Sequence, residues 1–126
     1  ELEVQEYYPF YENVCPNGVI AGLLMDNSVL SGLALNEPLP GRQGSAASTD
    51  FGNVSQVMPA YELRYAVSEN PVASHSREMT ETAATEYALN AAIKVAKTIT
   101  LTACDLLLDS ANTLAAKTEF ARRSGA

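Results

Sequence analysis

Residues Glu86 to Leu108 constrain this chain more than any other stretch, because no Gly or Pro interrupts helical propensity between Ser76 and Gly125. Projected at about 100° per residue, Asn90, Lys94, Lys97, Leu101 and Asp105 fall inside a wedge of roughly 80°. The remaining positions are mostly Ala, Leu, Ile, Val and Cys, with a few Thr. A surface helix carries an apolar stripe a little over 100° wide. A helix that is apolar or small over most of its circumference is expected to be a long buried helix, covered on several sides. The elements before it are too few to supply that cover. A partner segment outside these residues is the expectation, and a second copy in a homo-oligomer is the alternative.

The earlier elements read as follows. Glu1 to Tyr8 alternates, with Leu2, Val4 and Tyr8 on one side and Glu1, Glu3 and Gln5 on the other, which predicts a strand closed by Pro9. Pro16 and Asn17 offer a helix start, and Val19, Ile20, Leu23, Leu24, Leu30 and Leu33 supply apolar positions. Gly18, Gly22 and Gly32 weaken that helix by about 1 kcal/mol each relative to Ala. Asn36 to Ser48 is a loop by composition, and Thr49 to Ser55 a turn. Tyr61, Leu63, Tyr65 and Val67 alternate with Glu62, Arg64 and Ala66, predicting a second strand that Asn70-Pro71 ends. A short helix is expected over Arg77 to Thr85. Asp109 or Ser110 caps a last helix ending near Arg123. The class read from this pattern is α/β.

Charge excludes some functions. Lys plus Arg number 8 and Asp plus Glu 15, so the formal charge is 8 − 15 = −7. That balance argues against nucleic acid, which needs cationic side chains for its phosphates. It argues against an anionic membrane surface for the same reason. The apolar run Val19 to Met25 is too short to span a bilayer. Glu1 opens no basic-then-apolar leader, and a cytoplasmic location is the expectation. Cys15 and Cys104 stand 104 − 15 = 89 positions apart, which is neither a metal knuckle nor a redox pair. Cys104 lies in an apolar helical pattern, where a buried thiol is expected.

His75 is the sole histidine and falls in a loop before a helix, where side chains are commonly presented for function. A neutral imidazole there suits a metal or general-base role. Glu78 and Glu81 lie at helical spacing from one another; they complete a carboxylate site or favour a helix N-terminus from solvent. Asp50 sits in a Gly- and Ser-containing turn, either ordering the loop through hydrogen bonds or standing beside a substrate. Ser74 and Ser76 have no second histidine to activate them. The tyrosines follow no nucleic-acid module spacing and are expected in the core.

Three stretches carry a resemblance. Ser48-Thr49-Asp50-Phe51-Gly52-Asn53-Val54-Ser55-Gln56-Val57-Met58-Pro59 resembles the STD-x-GNVS-x-x-x-P signature of metal-dependent amidohydrolases. That superfamily holds zinc aminoacylases, carboxypeptidases and dipeptidases, and the branch in question contains aminobenzoyl-glutamate hydrolase. Ser74-His75-Ser76 followed by Glu78-Met79 is similar to that branch's His-Ser/Thr-x-x-apolar element, which carries the last metal ligand. Ala91 to Asp109 is similar to its C-terminal helix. Together the match covers most of residues 44 to 120.

The resemblance implies the C-terminal part of a three-layer αβα zinc-peptidase-like catalytic domain. Residues 1–8 would be the last strand of a lid or dimerisation domain, and residues 9–126 the closing catalytic segment. Family chemistry uses two divalent ions, commonly zinc, and a carboxylate base. Carried over by position, His75 is a metal ligand, and Asp50 and Asn53 lie near the substrate cleft. The family's His-x-Asp pair, bridging carboxylate and Glu-Glu pair have no counterpart here. The segment Gly44-Ser45-Ala46-Ala47-Ser48 is also longer than the usual Gly-Ser. The implied activity is hydrolysis of an amide bond in an N-acyl amino acid, dipeptide or aminobenzoyl-glutamate. It would need the upstream part of the same enzyme as partner, the isolated chain being inactive. The alternative is a non-catalytic helical oligomerisation or interaction module.

Overall fold

The computed structural model describes residues 10–33 and 48–124, together with residues 2, 3, 5, 7 and 35. Five helices follow one another: α1 (Gly18–Ser31), α2 (Phe51–Val57), α3 (Arg77–Ala83), α4 (Glu86–Leu108) and α5 (Ser110–Ser124). There is no strand among the described residues, so the expected α/β, three-layer αβα arrangement is overturned. The physical reason lies in pairing. A strand exists only where a neighbour takes its backbone groups, and the alternating segment Tyr61 to Val67 has no second strand beside it among the described residues. Ala60, just before it, instead gives its carbonyl to the Asn17 amide at 2.8 Å. Of the strand expected over Glu1 to Tyr8, residues 2, 3, 5 and 7 are described and none is in a strand; Glu1, Val4, Glu6 and Tyr8 lie outside the described residues. So do Pro9 and residues 36–47 of the expected loop. No helix among the described residues is long and apolar enough to cross a membrane.

Helix starts follow the sequence closely. Asn17 N-caps α1, its side chain accepting from the Ile20 amide at 3.1 Å. Gly32 ends α1 in the left-handed region at φ 68°, and Leu33 N donates back to Ser28 O at 2.9 Å. This closing turn requires a residue without a Cβ penalty, and Gly supplies it. Thr85 caps α4, and Asp109 accepts from the Ala111 amide at 2.8 Å where α5 begins. Two α5 side chains take the carbonyls left over at the end of α4: Asn112 donates to Asp105 O at 3.2 Å, and Thr113 donates to Leu106 O.

The α1–α4 contact is small and polar. Asn27 donates to Thr102 Oγ1 at 3.2 Å and to Asp105 Oδ2 at 2.6 Å, and the hydroxyls of Ser31 and Thr98 lie 2.6 Å apart. Asn27, Ser28, Thr98 and Thr102 are all buried there beside Leu24 and Val95. Each buried polar side chain has a hydrogen-bond partner, which removes most of the desolvation penalty of placing it there. Short side chains let the helix axes approach closely.

The described residues do not supply α4 with the cover on several sides that its composition calls for. The buried residues of α4 are Ala88, Val95, Thr98 and Thr102, and the last two hydrogen-bond with side chains of α1. Leu89, Ile93, Ile99, Leu107 and Leu108 are exposed, as are Val29 and Leu30 on α1 and Leu114 on α5. The buried apolar set is short: Leu24, Leu33, Ala88, Val95 and Ala116. The predicted polar wedge is real, with Asn90, Lys94 and Lys97 exposed, but most of the apolar surface beside it is bare as well.

Candidate functional site

His75 is presented by a turn that its neighbour locks. Ser76 Oγ donates to Ala73 O at 2.8 Å and accepts from Met79 N at 3.0 Å, so one hydroxyl closes the turn and caps α3. His75 takes φ 60°, the sole non-Gly residue with positive φ among those described. Histidine is one of the residues that tolerates this region. Its imidazole is exposed and makes no hydrogen bond among the described residues. Glu78 lies in the first turn of α3, where the helix dipole favours a carboxylate, and Glu81 is exposed on the same helix.

The signature-like segment Ser48 to Pro59 is partly a helix, not the simple turn its composition suggests. α2 begins after Asp50, whose exposed side chain makes no capping bond; Thr49 Oγ1 accepts from Phe51 N at 3.2 Å instead. One face of α2 grips the backbone of the extended segment before α1. Asn53 donates to Phe10 O at 3.0 Å and accepts from Glu12 N at 3.3 Å. Gln56 donates to Asn13 O at 2.7 Å, and Ser55 Oγ accepts from Cys15 N at 2.8 Å while donating to Gly52 O at 2.7 Å. Gly52 is where the two backbones meet: a Cβ there would lie 1.8 Å from Glu12 O. The Gly-Asn-x-Ser-Gln string therefore serves a structural purpose. Gly permits contact, and three polar side chains satisfy backbone groups that have no ladder partner.

A second group was not singled out from the sequence. Glu119 of α5 places Oε1 2.9 Å from Gly18 N and Oε2 2.9 Å from Val19 N, a carboxylate seated on the open amides of α1. Arg123 pairs with it at 2.7 Å and also donates to Pro16 O. The Gly18 amide, with help from the Val19 amide and the Arg123 charge, holds the Glu119 carboxyl below its ordinary value despite the opposing effect of burial. α1 has no acidic residue in its own first turn, which is the one hint of a distant anion that the sequence offers.

These parts do not converge into a catalytic centre. No hydrogen bond or ion pair joins His75 to Asp50 or Asn53 among the described residues, and no group of three or more His, Cys, Asp or Glu there is placed to hold a metal ion. One imidazole does not make a zinc site, which takes three or four protein ligands. The described residues by themselves therefore do not fit a metal centre. Cys104 is exposed, contrary to the buried thiol expected, and Cys15 is half-buried. Tyr7, Tyr11, Tyr65 and Tyr87 are exposed, so they are not the core residues expected of them. An apolar cleft of about 260 Å³ lies between α1, α4 and the segment after Ala60, walled by Ile20, Leu24, Tyr61, Leu63 and Leu106.

No family model and no solved structure matches the chain. Matching proteins include the Xaa-Arg dipeptidase of Mus musculus, 28% identical over 120 residues, which is 95% of this chain and 27% of the mouse protein. The Xaa-Arg dipeptidase of Homo sapiens is 31% identical over 97 residues, 77% of this chain and 22% of the human protein. The chain thus spans about a quarter of the length of these relatives. The similarity is weak and of peptidase type.

Proposed function

We propose that the chain is part of a metal-dependent amidohydrolase of peptidase type, acting on the amide bond of a dipeptide, an N-acyl amino acid or aminobenzoyl-glutamate. The observation that carries this reading is the dipeptidase similarity extending over 95% of the chain. Two features support it. The turn Ala73 to Ser76 leaves the lone imidazole exposed, with no hydrogen-bond partner among the described residues. Large apolar side chains on α1, α4 and α5 stand uncovered, as they would where more protein belongs against them.

In this reading His75 supplies one ligand to a zinc site whose other ligands come from the upstream part of the enzyme. Asp50 and Asn53 lie toward the cleft, and residues 9–126 close the catalytic domain. The isolated chain binds no zinc stoichiometrically and hydrolyses nothing.

The test extends the chain by the coding sequence upstream of Glu1 and measures zinc content and hydrolysis of a dipeptide, an N-acyl amino acid and aminobenzoyl-glutamate. Metal and activity should appear together in the extended protein, and His75→Ala should lower zinc affinity and activity by about 100-fold. An extended protein that hydrolyses these substrates equally well with and without His75 removes the imidazole from the site. One that is metal-free and inert on every substrate favours the second reading, a non-catalytic helical interaction module, which the bare surface of α4 also supports.

A further inference from the structure

Asn17-Gly18 is the sole Asn-Gly pair in the chain. Such a pair is chemically labile. The glycine amide nitrogen attacks the asparagine side-chain carbonyl carbon, and glycine has no side chain to hinder the ring closure. Here a bond would form between Gly18 N and Asn17 Cγ while the Cγ–Nδ2 bond breaks. The Gly18 amide loses one proton to solvent, and Nδ2 gains one as it leaves as ammonia. Water then opens the succinimide at one of its two carbonyls, which leaves aspartate or isoaspartate at position 17.

The fold holds each reacting group away from this course. Asn17 is 4% exposed. Its Nδ2 donates to Ala116 O at 2.9 Å, and its Oδ1 accepts from Ile20 N at 3.1 Å. Both substituents of Cγ are therefore fixed, one on α5 and one on α1. The nucleophile is fixed as well, since Gly18 N donates to Glu119 Oε1 at 2.9 Å. A carboxylate there opposes loss of the amide proton, because the nitrogen anion would form beside a like charge. Arg123 keeps that carboxylate in place at 2.7 Å. Gly18 also admits it: a Cβ on residue 18 would lie 3.2 Å from Glu119 Oε1. The residue that makes the pair labile thus makes room for the group that guards it.

The product fits this joint badly. A carboxylate at position 17 still accepts from Ile20 N but has no proton for Ala116 O, which it would face while buried. It also adds a negative charge to the joint that Glu119 occupies. Isoaspartate routes the main chain through the former side chain as well, which displaces the Gly18 amide from Glu119.

We propose that Asn17 is a deamidation site, held closed by the Glu119 carboxylate on the Gly18 amide, whose conversion by water frees α5 from the start of α1. The proposal takes nothing from the hydrolase reading.

The test ages the whole 126-residue chain in mildly alkaline buffer and follows Asn17 by peptide mapping with mass spectrometry. Folded wild type should react at least about ten-fold more slowly than wild type in guanidinium chloride, because reaction proceeds through the locally open form. Glu119→Gln should raise the folded rate about five-fold, the change in open population that loss of a charge at a helix N-terminus brings. Arg123→Gln, which keeps the carboxylate but removes its partner, should raise it less. Glu69→Gln removes the same charge as Glu119→Gln from an exposed position and should leave the rate unchanged. Hydrogen exchange in α5 should be faster in aged protein, and in Asn17→Asp, than in fresh wild type. Equal rates for folded and unfolded wild type overturn the proposal, as does a folded Glu119→Gln that reacts no faster than wild type. Where Glu119→Gln does not fold by circular dichroism, Arg123→Gln decides, and a rate equal to that of wild type overturns the guard. Unchanged exchange in α5 after Asn17 has reacted overturns the release of that helix.

Discussion

Glu119 caps the helix that begins at Gly18: its carboxylate accepts the Gly18 amide at 2.9 Å from 101 residues away. This contact ties the C-terminal helix to the start of α1, and Asn17 strengthens it by donating to Ala116 O at 2.9 Å. Both ends of the bond are groups that would otherwise be poorly paired. The first amides of a helix have no internal acceptor, and a carboxylate there also meets the positive end of the dipole.

Glu119→Gln should therefore cost about 1 kcal/mol in urea unfolding at pH 7, the usual scale for a charge at a helix N-terminus. The pH dependence has a definite sign. The folded carboxyl is held below its ordinary value of 4.5, so its stabilisation is fully present above that value and is lost as pH falls through the lower folded value. The gap between wild type and Glu119→Gln should be constant from pH 6 to 7, taken as about neutral, and should shrink toward zero in stronger acid. A gap that widens on acidification would show that the carboxylate is not what holds α1.

Two glycine substitutions should have opposite effects. Gly52→Ala would put a methyl group 1.8 Å from Glu12 O, forcing α2 off the segment it grips. A loss of about 1–3 kcal/mol is expected, the range for overpacking. Gly22, in the interior of α1, has nothing among the described residues within 4 Å of an added Cβ. Gly22→Ala should stabilise by roughly 0.5–1 kcal/mol through helix propensity. Thermal unfolding of both variants checks the pair; a neutral Gly52→Ala would mean that α2 and Glu12 are not in contact in solution.

How far the sequence reveals this molecule depends on the range of the interactions involved. Local signals were the plainer ones: Asn17 and Asp109 were plain helix starts and are caps because their side chains reach amides two or three residues on; Ser76 and Thr85 cap α3 and α4 the same way, although the sequence did not single them out. α4 begins at Glu86 and ends at Leu108, where the pattern places it. Non-local ones were hidden. The alternation of Tyr61 to Val67 is a real period-two pattern, yet period alone does not create a pairing partner. Thr49 to Ser55 read as a turn because Gly, Asn and Ser favour turns, whereas their use here is to fit α2 against a backbone 40 residues distant. Nothing near Glu119 indicated that α1 would lie under it. The candidate site was legible only as an isolated histidine, and the structure adds the Ser76 lock on its turn.

Asn53 separates two uses of the signature-like segment. Its amide bonds Phe10 O and Glu12 N at once, which fixes both the orientation of the amide and the position of the extended segment. If that clamp is its whole purpose, Asn53→Ala should cost about 1 kcal/mol, the net worth of hydrogen bonds that are partly open to water. It should also speed proteolysis between Phe10 and Cys15, because the segment loses two of its hydrogen bonds to α2 and keeps those of Ser55 and Gln56. Asn53→Asp should behave in the same direction, since a carboxylate still accepts from Glu12 N but faces the Phe10 carbonyl without a proton to donate. Urea unfolding and limited proteolysis of the two variants measure the clamp directly. Should both variants keep full stability and protease resistance, yet weaken substrate binding in the extended protein, the side chain faces substrate and the grip on Phe10 and Glu12 is incidental.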